Sequence, residues 1–167
     1  LPIRVSMNFL LLMVLAYVSG ITVNAIFGFG EEIGWRSYLF LELYRDCGFY
    51  GAVILTGLVW GLWHIPLYIV FRPGIMEFSI WGWRYISLYY IVFCIVLSLP
   101  SAQLLLLTKS VLPVAGLHGS VNALWRITAY MVREYIGWDM KLAVLLLVVV
   151  SWIVSSYTMY TIISFLY

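Results

Sequence analysis

The chain has 167 residues, of which 65% are hydrophobic and only 10% charged, and its mean hydropathy is +1.05. Roughly a quarter of the residues of an ordinary soluble domain are charged, so this composition excludes a water-soluble globule and implies that lipid is the solvent. A net charge of +2 without a basic run gives no footing for a nucleic-acid partner.

In chain order, apolar runs alternate with short clusters of charge, Gly and Pro. A spanning helix needs about 20 mostly apolar residues, and residues 5–27 form the first such run. The chain opens on Leu1 and carries no signal-peptide pattern, so helices upstream of it are expected. Residues 31–46, EEIGWRSYLFLELYRD, are short and hold six charges. If they stayed on one surface, Glu31 and His64 would end near opposite faces of the membrane. If they cross, the next span, 48–71, returns His64 to about 10 Å below the face where Glu31 begins, at about 1.5 Å per residue. Buried polar groups need partners, so a short crossing helix is expected, with the glycines at 28, 30 and 34 near its start. An interfacial loop over 72–84 follows. Further spans are expected over 85–108 (bent at Pro100), 111–133 and 141–166.

The fold class expected is therefore all-α: a polytopic transmembrane helical bundle of about six spans. It forms one catalytic domain over 1–167, with its motifs between about 28 and 126. Eight Trp and 13 Tyr suit the two membrane–water interfaces. Cys47 and Cys94, far apart in sequence, are expected to be structural thiols. Arg72, Arg84, Arg133 and Lys141, with Arg126 near them, fall on one face, and Arg4, Arg45 and Lys109 on the other. The excess of cations turns the first face, and the site that opens on it, toward the cytoplasm.

Three polar groups interrupt the spans. Glu32 and Arg36 are four apart and can pair on one helix face, which leaves Glu31 aimed elsewhere. In 60-WGLWHIP-66, His64 shares a face with Trp60, just ahead of Pro66. In 118-HGSVN-122, His118 and Asn122 share a face that Arg126 continues toward the surface. Singly, each has an ordinary structural explanation: a charged helix end, a packed histidine, an interhelical hydrogen bond. Together they put a carboxylate, two imidazoles and an amide at compatible depths, and intramembrane ionisable groups point to function.

A carboxylate beside a histidine can hold and deprotonate water, while an amide and a second imidazole can donate to an oxyanion. That is the equipment of an acyl hydrolase with water as nucleophile. No serine stands in a nucleophile-elbow context, and neither cysteine lies near a motif histidine, which disfavours covalent catalysis. A metal is the competing reading: Glu31, His64 and His118 are the minimum set for a catalytic zinc, although no H-E-x-x-H is present.

These three motifs, E-E-x-x-x-R (Glu31, Glu32, Arg36), an aromatic ahead of a histidine (Trp60, His64) and H-x-x-x-N (His118, Asn122), resemble those of the CAAX protease and bacteriocin-processing family of intramembrane proteases. The family includes the type II CAAX prenyl endopeptidases. Trp60 stands where Phe is frequent in the family. The resemblance implies a helical membrane fold and a glutamate-dependent peptidase without a cofactor. In it, Glu31 and His64 activate water, His118 and Asn122 form the oxyanion hole, and Glu32, Arg36 and Trp60 support the site. It further implies a lipidated protein or peptide as substrate, met within membrane lipid. Many prokaryotic members are linked instead to bacteriocin maturation or self-immunity, so a non-catalytic immunity or scaffold protein is the reading from another class.

Overall fold

The computed structural model describes residues 7–70, 82–135 and Thr161. The expected last span, 141–166, apart from Thr161, lies outside the described residues. So do Arg4, Arg72, Lys141 and most of the expected loop over 72–84.

No strand occurs among the described residues, and the all-α expectation holds. Helix α1 is Met7–Ser19, and a π-helical turn over Gly20–Asn24 leads into α2, Ala25–Glu32. A longer π-helical stretch, Ile33–Phe40, leads into α3, Leu41–Val70; α4 is Gly82–Thr108 and α5 is Val111–Tyr135. Both α3 and α4 continue past Pro66 and Pro100.

The N-terminal third departs from expectation. The helix does not restart at residues 28–30: Glu31 and Glu32 close α2 rather than open a helix, so no helix N-terminus stabilises their charge. Gly28 is a contact glycine. A Cβ there would sit 3.2 Å from Cγ of His118 and 3.3 Å from the carbonyl oxygen of Ala115. The other expected break, between 31–46 and 48–71, is present as a corner at Gly48, inside α3, with φ 71° and ψ −178°.

Only glycine adopts that backbone region readily, and nothing lies within 4 Å of a Cβ built there. Conformation alone thus selects glycine. Gly48→Ala is expected to cost about 1–3 kcal/mol, read as earlier unfolding in a detergent denaturation series, with no clash to relieve.

Two helical stretches among the described residues, Val14–Leu67 and Tyr90–Thr108, are long and apolar enough to cross a membrane. The distribution of side chains agrees with lipid as solvent. Phe27 is 74% exposed, whereas Glu32 and Arg36 are 0% and 1% exposed, the reverse of a protein in water. Cys47 is exposed and Cys94 buried, both as thiols.

The chain packs as two compact units. The first holds the described residues up to Gly34 and from Leu104 to residue 135. Here α5 meets the N-terminal helices at paired glycines. A Cβ on Gly20 would lie 2.6 Å from Cα of Ser120, and one on Gly119 would collide with the carbonyl oxygen of Gly20. The π-helical turn beside this crossing is braced by its own side chains: Asn24 Nδ2 donates to the carbonyl and hydroxyl oxygens of Ser19, at 3.3 and 3.2 Å. The α4–α5 corner is tight. Lys109 takes φ 50°, its N–H donates to Leu105, and Ser110 Oγ caps α5 by accepting the N–H of Leu112 at 3.3 Å.

The second unit holds Trp35–Gln103. Its α3 and α4 cross where Gly57 and Gly61, one turn apart, face Ile95 and Ile91. A Cβ on Gly61 would fall 2.6 Å from Cα of Ile91. Small residues at this spacing let helix backbones close up where lipid offers no hydrophobic drive. Around the crossing, Phe40, Ala52, Val53, Trp60 and Leu97 are buried together with the polar Arg36, Thr56, Ser98 and Ser101.

Candidate active site

In the first unit, Glu32 at the end of α2 meets His118 on α5. Oε1 and Nδ1 are 2.7 Å apart, and both side chains are buried. The close approach allowed by Gly28 is what brings the imidazole in. An ionised carboxylate only accepts, so Nδ1 carries the hydrogen of this bond.

Glu31, next along the chain, is half-buried, and Asn122, one turn beyond His118, is exposed. The acidic pair is thus divided: one carboxylate is accessible and the other sealed against an imidazole. The same unit carries an open apolar groove of about 410 Å³, lined by Ile21, Thr22, Ala25, Ile26, Phe29, Leu112 and Ala115. Phe29 and Ala115 each lie three residues from a member of the Glu32–His118 pair.

In the second unit, Arg36 is held from two sides. Its Nη2 donates to Ser98 Oγ at 3.2 Å, and its guanidinium lies over the Trp60 ring, 4.4 Å from the centroid. His64 bonds back one turn, with Nδ1 2.9 Å from the carbonyl oxygen of Trp60. A carbonyl cannot donate, so Nδ1 bears the hydrogen of this bond. Trp63 meets the His64 ring edge-on at 5.1 Å and Tyr90 lies 5.4 Å from it. His64 is half-buried.

Sequence spacing pairs Glu32 with Arg36, but both have long-range partners that the spacing does not reveal: His118 for the one, Ser98 and the Trp60 ring for the other. Ser98 belongs to no motif. The available signal is a cluster of polar residues, Ser98, Ser101 and Gln103, within five residues of one another on a mostly apolar span. His118 and Asn122, expected to share one face, differ in burial.

A family model described as type II CAAX prenyl endopeptidase Rce1-like matches residues 6–124, a stretch that contains every one of the motif residues. A CAAX prenyl protease 2 from Methanococcus maripaludis is 43% identical over 54 residues, which is 30% of this chain and 20% of that protein. The matched segment thus spans about a fifth of the relative's length. No solved structure matches the chain.

Proposed function

Because the chain belongs to the type II CAAX prenyl endopeptidase Rce1-like family, we propose that it is an integral-membrane endopeptidase that cuts near the C-terminus of a prenylated protein or another membrane-associated peptide. Glu31 and His64 activate the water, and His118 and Asn122 stabilise the oxyanion. Water oxygen attacks the scissile carbonyl carbon as its proton passes to the Glu31–His64 pair. That proton then goes to the leaving amine as the C–N bond breaks. Glu32, Arg36 and Trp60 support the site, and the reaction needs no metal. The helices form about six spans, and the site opens to the cytoplasm.

The observation that carries this reading is the division of the motif residues by accessibility. Three of the four residues given roles on water or substrate, Glu31, His64 and Asn122, are half-buried or exposed, while Glu32, Arg36 and Trp60, given supporting roles, are sealed; the fourth, His118, is buried against Glu32. Two further features support it. Nδ1 of His64 is committed to the carbonyl oxygen of Trp60 and Nδ1 of His118 to Glu32, so Nε2 is the nitrogen of each ring that the proposed chemistry uses. The apolar groove offers a lipid tail a place one turn from that pair.

The test uses full-length protein in liposomes, a farnesylated CAAX peptide and mass-spectrometric detection of the released tripeptide. Wild type is expected to release it with or without a chelator. Glu31→Gln is expected to lose on the order of a thousandfold in kcat, because an amide takes no proton from water. Inhibition by chelator would turn the reading to a zinc enzyme built on Glu31, His64 and His118. Binding without cleavage, unaffected by Glu31→Gln, would make the protein a scaffold or immunity factor.

A further inference from the structure

Hydroxyl side chains in this fold commonly turn back on their own helix. Those of Thr22, Thr108 and Ser120 donate to the carbonyl oxygen one turn earlier, at 2.6, 2.7 and 2.8 Å. Thr56 on α3 and Ser101 on α4 do not. They are 1% and 0% exposed, and their hydroxyl oxygens meet no hydrogen-bond partner among the described residues. Buried polar groups are nearly always hydrogen-bonded, and an orphan costs most where the local dielectric is low.

Both hydroxyls belong to one helix crossing in the second unit. Gly57 faces Ile95 and Gly61 faces Ile91, so α3 and α4 run antiparallel in register there. Thr56 is then level with Val96. Ser98 and Ser101 follow about 3 and 8 Å farther along, at about 1.5 Å per residue. Ser98 stands between the two orphans. Its oxygen accepts the Nη2–H of Arg36, which leaves the hydroxyl a proton and a second lone pair.

The helix itself adds an acceptor. α4 runs through Pro100, which has no N–H, so the carbonyl oxygen of Val96 loses its donor from within the helix. In membrane helices such an oxygen is satisfied by neighbouring hydroxyls or by ordered water. Water suits the whole set, because it donates and accepts and takes two to four polar partners. An anion would leave the Val96 oxygen unmet, and a cation would face the buried Arg36 guanidinium.

We propose that Thr56, Ser98 and Ser101, with the carbonyl oxygen of Val96, bind internal water at the α3–α4 crossing. The site stands whether or not the protein cuts peptides.

Brief X-ray radiolysis of full-length protein in heavy-oxygen water makes hydroxyl radicals from bound as well as bulk water, and mass spectrometry reads the label on nearby side chains. Leu97, 1% exposed and one turn from Ser101, is expected to be labelled although bulk solvent does not reach it. In Thr56→Val/Ser101→Ala its label should fall at least about threefold, since the water loses two of its few partners, with Val114 in the first unit unchanged. An unlabelled Leu97 in wild type would overturn the proposal, as would a label that survives the double substitution.

Denaturation in detergent supplies the second readout. Thr56→Val, equal in shape, and Ser101→Ala are each expected to lower the folding constant about threefold. The double variant should lose less than the product of the two, because both hydroxyls share the bound water. A gain in Thr56→Val would mark an orphan hydroxyl in a dry core, and fully multiplicative losses would mark two hydroxyls bonded independently. Either result would refute the site.

Discussion

His118→Ala is expected to cost about 3–5 kcal/mol of stability, the usual penalty for removing one member of a buried, hydrogen-bonded ionic pair. The variant takes away the imidazole 2.7 Å from a Glu32 carboxylate that has no solvent exposure. Glu32→Gln should be milder, about 1–3 kcal/mol, since its amide oxygen still accepts from Nδ1. A denaturation series in detergent on the single variants and on Glu32→Ala/His118→Ala checks this. The double variant should be more stable than the sum of the single losses by about 1–3 kcal/mol. Strict additivity would show that the two side chains are not energetically coupled. The same residue then affects folding and activity together, so only the folded fraction of a His118 variant can be used to judge its chemistry.

Two glycines on one helix should respond in opposite directions. Gly→Ala in a helix interior ordinarily stabilises by roughly 0.5–1 kcal/mol. At Gly116 nothing among the described residues lies within 4 Å of the added methyl, so Gly116→Ala should show that gain. At Gly119 the methyl would meet the carbonyl oxygen of Gly20 and the backbone of Asn24 and Ala25. Those atoms belong to a braced π-helical turn and cannot rotate aside. Gly119→Ala is therefore expected to lose on the order of 3 kcal/mol or more, with a drop in monodisperse yield. Thermal denaturation of the two variants side by side decides it. A gain at both positions would mean that the helices part without cost.

The motif residues stand out in the sequence because charges and imidazoles are conspicuous against apolar spans; the roles given to them are the proposal above. The helices expected over 85–108 and 111–133 lie close to α4 and α5, and the one expected over 48–71 is the part of α3 beyond the kink at Gly48. What escaped was partnership and local backbone. Spacing exposes neighbours one turn apart, so it offers Arg36 to Glu32; it cannot offer His118, which is 86 residues away. Glycine has several uses, and the run at 28–34 looks like a break when Gly28 in fact gives room to α5. The corner at Gly48 falls where the expected segment 31–46 gives way to the span over 48–71, and only its positive φ is new. Gly57 and Gly61 are different: their four-residue spacing is a packing signal open to any reader of the sequence. The π-helical turns leave no trace in composition, since the bracing contacts of Asn24 become visible only in three dimensions.

The distance in sequence between the buried charges and their partners governs how this chain can be made. Arg36 waits 62 residues for Ser98, and Glu32 waits 86 for His118. At a synthesis rate of roughly 5–20 residues per second, the second delay lasts roughly 4–17 s. During that time α2 carries its acidic end with α5 still on the ribosome or unmade. Until α5 arrives, the acidic end of α2 lacks the imidazole against which it is buried in the finished fold, so the first unit closes only after most of the chain has been made.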